Sequence, residues 1–127
     1  MSDYLVSDVK PFIGSKHYDE SILFYSSLGF ALNFRTDDIA ELQLGDCRLY
    51  LQNYYQKDWC ENSMLHISVN SASSWYDKVS DVLSAGSFGS ARVEAPRKQD
   101  YGAIVTFVWD PAGILLHFAQ STIDKGA

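Results

Sequence analysis

The chain has 127 residues, 46% of them hydrophobic and 14% aromatic, enough for one domain (1–127) with a buried core. Ten Lys and Arg against 16 Asp and Glu leave a net charge of -6, which argues against nucleic acid or an anionic membrane as partner. Cys47 and Cys60 are the only cysteines; they form no CxxC or metal spacing and are too few for a disulfide framework. No apolar signal core and no membrane-length apolar run are visible, so a cytoplasmic location is expected.

Val6 to Gly14 (VSDVKPFIG) reads as a first strand, and Pro11, lacking a backbone donor, favours an edge or a strand beginning. Tyr18, Ile22, Tyr25 and Leu28 then fall at helical spacing, with Asp19 and Glu20 in the first turn. Gly29 stands where a left-handed residue closes a helix. Phe30 to Arg35 and Ile39 to Leu44 read as strands joined at Thr36-Asp37-Asp38. Gly45-Asp46 signals a two-residue turn, and Cys47 to Asn53 continues as a strand. Tyr54 to Ser63 has neither helical nor strand period and reads as a surface connection. It separates a first module, about 1–57, from a second, about 58–127.

In the second module Met64 to Asn70 alternates Leu65, Ile67 and Val69 with His66 and Ser68, the pattern of a half-buried strand. Ser71 or Ser73 can cap a helix that carries Trp75, Val79, Val82 and Leu83 on one face and stops at Gly86. Arg92 to Ala95 is a further strand. A hairpin closes the chain: Ile104 to Trp109, the turn Asp110-Pro111-Ala112-Gly113, and Ile114 to Ala119. Asp110 can bond its own backbone ahead, and Gly113 accepts a positive φ. Both halves therefore read βαβββ. The fold class is α+β, two such modules whose strands form a curled mixed sheet around a cleft, since one module alone buries too little surface.

Several motifs carry a resemblance. Lys10-Pro11-Phe12-Ile13, Phe24-Tyr25 and Leu28-Gly29-Phe30 mark the first module; Tyr101-Gly102, Phe107, Asp110-Pro111-Ala112-Gly113 and His117-Phe118 mark the second. Together they resemble the vicinal oxygen chelate superfamily, which includes glyoxalase I, extradiol dioxygenases, fosfomycin-resistance enzymes and bleomycin resistance proteins. Phe34 to Ala40 (FRTDDIA) and Asp110 to Phe118 (DPAGILLHF) are most similar to the bleomycin resistance branch.

Enzymes of that superfamily hold a divalent metal through side chains at equivalent points of four inner strands. Carried over residue by residue, those points fall on Lys10, Tyr50, His66 and His117. Lys10 is a cation and Tyr50 a poor ligand at neutral pH, so two imidazoles remain where at least three donors are needed; Glu41 or Glu94 could complete a set, but the sequence does not place either beside the imidazoles. No metal, no cofactor and no catalytic residue is expected. The alternative is a metal-dependent lyase, isomerase or dioxygenase of the same superfamily that uses His66 and His117. No GxSxG elbow and no Cys-His arrangement supports nucleophilic catalysis.

The resemblance instead implies a small-molecule binding cleft lined by Phe34, Ile39, Gln52, His66, Ser68, Tyr101 and His117. Phe34 and Tyr101 are placed to sandwich a flat heteroaromatic, and Asp37, Asp38, Glu61 and Asp100 to attract a cationic ligand. Ile39, His66 and Ser68 stand where the antibiotic binders carry rings, which implies a ligand other than bleomycin itself. The resemblance also implies a homodimer with exchanged modules and two clefts at its interface.

Overall fold

Pairing follows the alternation of the apolar residues. In a computed structural model that describes residues 3–123, it produces two four-stranded sheets. The first contains β1 (Phe12–Gly14), β2 (Ala31–Arg35), β3 (Ile39–Leu44) and β4 (Cys47–Gln52), in the order β1-β4-β3-β2. The second contains β5 (Met64–Ser68), β6 (Arg92–Gln99), β7 (Ala103–Trp109) and β8 (Leu115–Ser121), in the order β5-β8-β7-β6. Each sheet is mixed: its first strand runs parallel to its last, and the other neighbours are antiparallel. The connections carry α1 (Tyr18–Ser27), α2 (Lys57–Glu61) and α3 (Ala72–Ala85). Among the described residues no strand pairing joins the two sheets into one.

One face of each sheet is closed by the core. Ile13, Ala40, Leu42, Leu49 and Leu51 from the first sheet and Val108, Leu116 and Phe118 from the second belong to a single buried cluster with Phe24, Tyr25 and Leu28 of the first helical segment. Each fully buried Leu or Phe contributes about 1.5–3 kcal/mol, so this shared core binds the two modules of one chain to each other. Trp75 of α3 stacks on Phe118 with ring centroids 4.5 Å apart, and the Thr106 hydroxyl donates to the Ala72 carbonyl at 2.7 Å. Those contacts seat α3 on the second sheet.

The turn from β7 to β8 is fastened from within and from across the chain. The Asp110 carboxylate accepts from the amides of Ala112 at 2.8 Å and Ile114 at 2.9 Å. Its other oxygen accepts from the Tyr25 hydroxyl of α1 at 2.6 Å. Gly113 takes φ +95°, a region that a side chain would strain. Burial outweighs these bonds and pushes the Asp110 carboxyl up to about 6, and burial raises the Tyr25 phenol well above its ordinary value.

Three expectations from sequence are corrected. The first strand is only Phe12–Gly14, not Val6 to Gly14, because Pro11 has no N–H to extend the ladder and Leu5, Val6 and Val9 stay exposed. The connection Tyr54 to Ser63 contains a helical turn, α2, whose first amides are capped by the Gln56 side chain accepting from Trp59 N–H at 2.6 Å. β6 runs on past Ala95 to Gln99; Pro96 is tolerated because β6 is an edge strand and its register shifts between Glu94 and Arg97.

α2 also explains Gly14. A Cβ there would lie 2.7 Å from Cys60 Sγ, 2.8 Å from the Trp59 ring and 2.8 Å from the Tyr54 carbonyl. Gly14→Ala is expected to cost about 2–3 kcal/mol, since the carbonyl cannot give way as a flexible side chain would. Chemical denaturation of the two proteins measures it, and equal midpoints would refute the packing described.

Candidate functional site

With one face of each sheet closed, the alternate residues of every strand project from the other. On the first sheet the register aligns Phe12, Tyr50, Glu41 and Phe34 in a row across β1, β4, β3 and β2. A bulge between Leu32 and Phe34 sets Asn33 on this side too, where its amide donates to Glu41 at 2.8 Å and Gln43 at 2.9 Å. The Tyr50 ring lies 5.1 Å from Phe12 and 6.1 Å from Phe34, so three rings form one aromatic surface. Phe12 is 50% exposed and Phe34 43%, values at odds with a covered core. Lys10 Nζ stands 5.9 Å from the Tyr50 ring centre and 2.9 Å from the Asp8 carboxylate. Their hydrogen bond lowers the Asp8 carboxyl and raises the Lys10 ammonium. Lys10 is therefore a cation at the edge of this face.

On the second sheet the equivalent row is His66, His117, Phe107 and Glu94 across β5, β8, β7 and β6. The structure thus brings His66 and His117 together, on neighbouring parallel strands and in direct register. Phe107 presents to the His117 ring at 4.9 Å, near edge-to-face. Arg97 lies 5.3 Å over the Phe107 ring and 2.9 Å from Glu94. Burial, and then the neighbouring His66, lower the His117 pKa, so it is neutral at pH 7; its Nε2 is buried without a hydrogen-bond partner. Ala103, Val105 and Ala119 form a small buried cluster with Phe107 beside this row.

The donor set does not fit a catalytic metal. His66 and His117 are two imidazoles, the register partner of Tyr50 on β1 is Phe12 rather than Lys10, and none of the three adds a donor suited to a divalent ion. Among the described residues no group of three or more His, Cys, Asp and Glu could hold one.

The other cleft residues are spread over both modules. Ile39 and Gln52 are register partners at one end of the first sheet, and Ser68 is the last residue of β5. Tyr101 sits in the turn from β6 to β7, 59% exposed. Phe34 is on a strand of the first sheet and Tyr101 in a turn of the second module, and the ring beside Phe34 is Tyr50. Asp37 and Asp38 occupy the turn from β2 to β3, whereas Glu61 lies apart in a cavity with Lys16, Lys57 and Arg92. Sequence reasoning named Phe12 and Phe107 only as motif residues and Glu41 and Glu94 only as donors that could complete a metal set, and it passed over Arg97. Strand alternation gives the face for each, but only pairing across strands shows that they complete the two rows.

No protein-family model matches the sequence. The bleomycin resistance protein of Klebsiella pneumoniae is 24% identical over 136 residues, covering 96% of this chain and 98% of that protein. The crystal structure of a bleomycin resistance determinant encoded on the transposon Tn5 superposes with a TM-score of 0.77 and 25% identity, over 93% of this chain and all 100% of the other. A bleomycin-binding protein complexed with bleomycin gives a TM-score of 0.73 at 25% identity, over 91% and 99%. Lactoylglutathione lyase from Agrobacterium tumefaciens, at 12% identity, 91% and 95% coverage and a TM-score of 0.67, shares the fold. Near full-length coverage on both sides, with the paired βαβββ modules, gives this chain the glyoxalase/bleomycin resistance/dioxygenase fold and makes its sequence similar to bleomycin resistance proteins over nearly its whole length.

Proposed function

We propose that this chain is a bleomycin-resistance-like binding protein that sequesters a small, partly aromatic and cationic molecule without a metal. One observation carries this reading: each sheet keeps an uncovered face bearing rings and a few polar groups, the composition of a ligand site. The aromatic surface of Phe12, Tyr50 and Phe34, with Glu41 among the rings, suits a flat cation. The exposed His66 imidazole, in register with His117, offers a ring nitrogen to a ligand. Relatives with the same modules include proteins solved with bleomycin and with copper(II)-bleomycin.

The working unit is a homodimer in which the open face of one chain's first module closes over the second module of its partner. Half-exposed Phe12 and Phe34 supply the apolar area such a contact would remove from water. Ile39, His66 and Ser68 are smaller or more polar than the rings they replace, which favours a ligand more compact than bleomycin.

Calorimetric titration of the purified protein with metal-free bleomycin and with proflavine, a flat aromatic cation, tests the reading. Proflavine is expected to bind once per chain, more tightly than bleomycin, and to raise the melting temperature by mass action. No heat and no thermal shift with either compound would remove it.

A further inference from the structure

The seam between the two modules of one chain holds a cavity of about 670 Å³, in the size range of small-molecule sites. Its walls come from the turn after β1 (Lys16), the intermodule connection (Tyr55, Lys57 and Glu61), the turn before β6 (Ser90) with the first residue of that strand (Arg92), and Trp109 with the turn that follows it. Three of the chain's ten basic residues converge here although the net charge is -6. They face one carboxylate, Glu61.

Those cations are available. Neither Lys16 nor Lys57 forms an ion pair among the described residues; Lys16 Nζ instead lies 5.5 Å over the Tyr55 ring. Arg92 is fixed flat on Trp109, its guanidinium 3.5 Å from the ring centre. Glu94, its ion-pair partner at 3.2 Å, is nearer to Arg97 at 2.9 Å, so two guanidiniums share one carboxylate and leave positive charge unmatched. A planar guanidinium held by stacking presents its remaining N–H groups as a preformed fork for two oxygens. The Ser90 hydroxyl adds a donor, and Tyr55 and Trp109 add flat apolar walls.

We infer that this seam is a second binding site, for a small dianion carrying an aromatic ring, of the aryl phosphate monoester class. Charge sets the class, because two lysines without ion pairs and a guanidinium that only shares Glu94 outweigh Glu61 and suit a doubly charged group. The two rings account for the aromatic part. This inference goes beyond the sheet-face reading: the cavity contains none of His66, His117, Phe34 or Tyr50, and it meets the second sheet's row only through the ion pair of Arg92 with Glu94.

The test is calorimetric titration of the full chain with phenyl phosphate, inorganic phosphate and phenol, repeated with Lys57→Gln and with the double variant Lys16→Gln/Lys57→Gln. Both lysines are exposed, and circular dichroism checks that the variants fold. Phenyl phosphate is expected to bind once per chain, at least tenfold more tightly than inorganic phosphate, while phenol gives no heat. The double variant should weaken it at least tenfold, and added salt should weaken it in the native chain. No binding of phenyl phosphate at millimolar concentration, or unchanged affinity in the double variant, overturns the site. Equal affinity for the two phosphates overturns the aromatic assignment.

Discussion

Asp110→Ala is expected to lower the melting temperature by about 10 °C, corresponding to about 3 kcal/mol for a domain of this size. The substitution removes a carboxylate that is fully buried and strands three donors: the Tyr25 hydroxyl and the amides of Ala112 and Ile114. Each loses its partner in a place water does not reach, the costly half of the hydrogen-bond asymmetry. Tyr25→Phe isolates the contact between modules and carries a pH signature. With its carboxyl at about 6 in the fold against 3.8 for the free group, Asp110 binds a proton more readily when the chain is folded. Its contribution to stability is greatest below about pH 4 and declines as pH rises to about 6. The Tyr25 bond is strongest to the ionised form, so Tyr25→Phe should cost more at pH 7 than at pH 4. Melting curves across that range measure both effects; a cost for Tyr25→Phe that is flat or larger at low pH would refute this account of the pair.

A mixing experiment has the second large effect, because it decides whether a cleft is built within a chain or between two. Phe34→Ala on the first sheet and His117→Ala on the second are each expected to weaken proflavine at least tenfold alone. If clefts form between exchanged modules, a heterodimer of the two variants has one cleft with both lesions and one with neither. Refolding an equimolar mixture should then restore about a quarter of the sites at full affinity, half the dimers being mixed and each having one intact cleft. Clefts formed within single chains would restore none. The uncovered faces carry the expectation: Phe12 and Phe34 lie half exposed on the first sheet, while His66 and His117 line the second.

The local grammar of this protein was legible without coordinates. Alternation marked most of the strands, although β1 is shorter and β6 longer than it indicated and β2 is exposed throughout; Gly29 and Ser71 ended and began helices where expected, and Asp110 bonds forward into its own turn. All of these depend on neighbours within a few residues, which is why composition and spacing reveal them. His66 and His117 could be named from resemblance, but their side-by-side register depends on which strands pair.

The tertiary structure alone decided what distant segments do to one another. Tyr25 meets Asp110 across 85 positions, and Gly14 is required because Trp59 and Cys60 close over it. Phe12, not Lys10, is the register partner of Tyr50 because parallel pairing of β1 with β4 sets that register. Lys16, Lys57 and Arg92 look like scattered surface charges in the sequence and share a cavity only after the modules pack. Periodicity tells a residue which side of its own strand it occupies; what lies opposite is chosen by the burial of a core common to both modules, a property no single stretch contains.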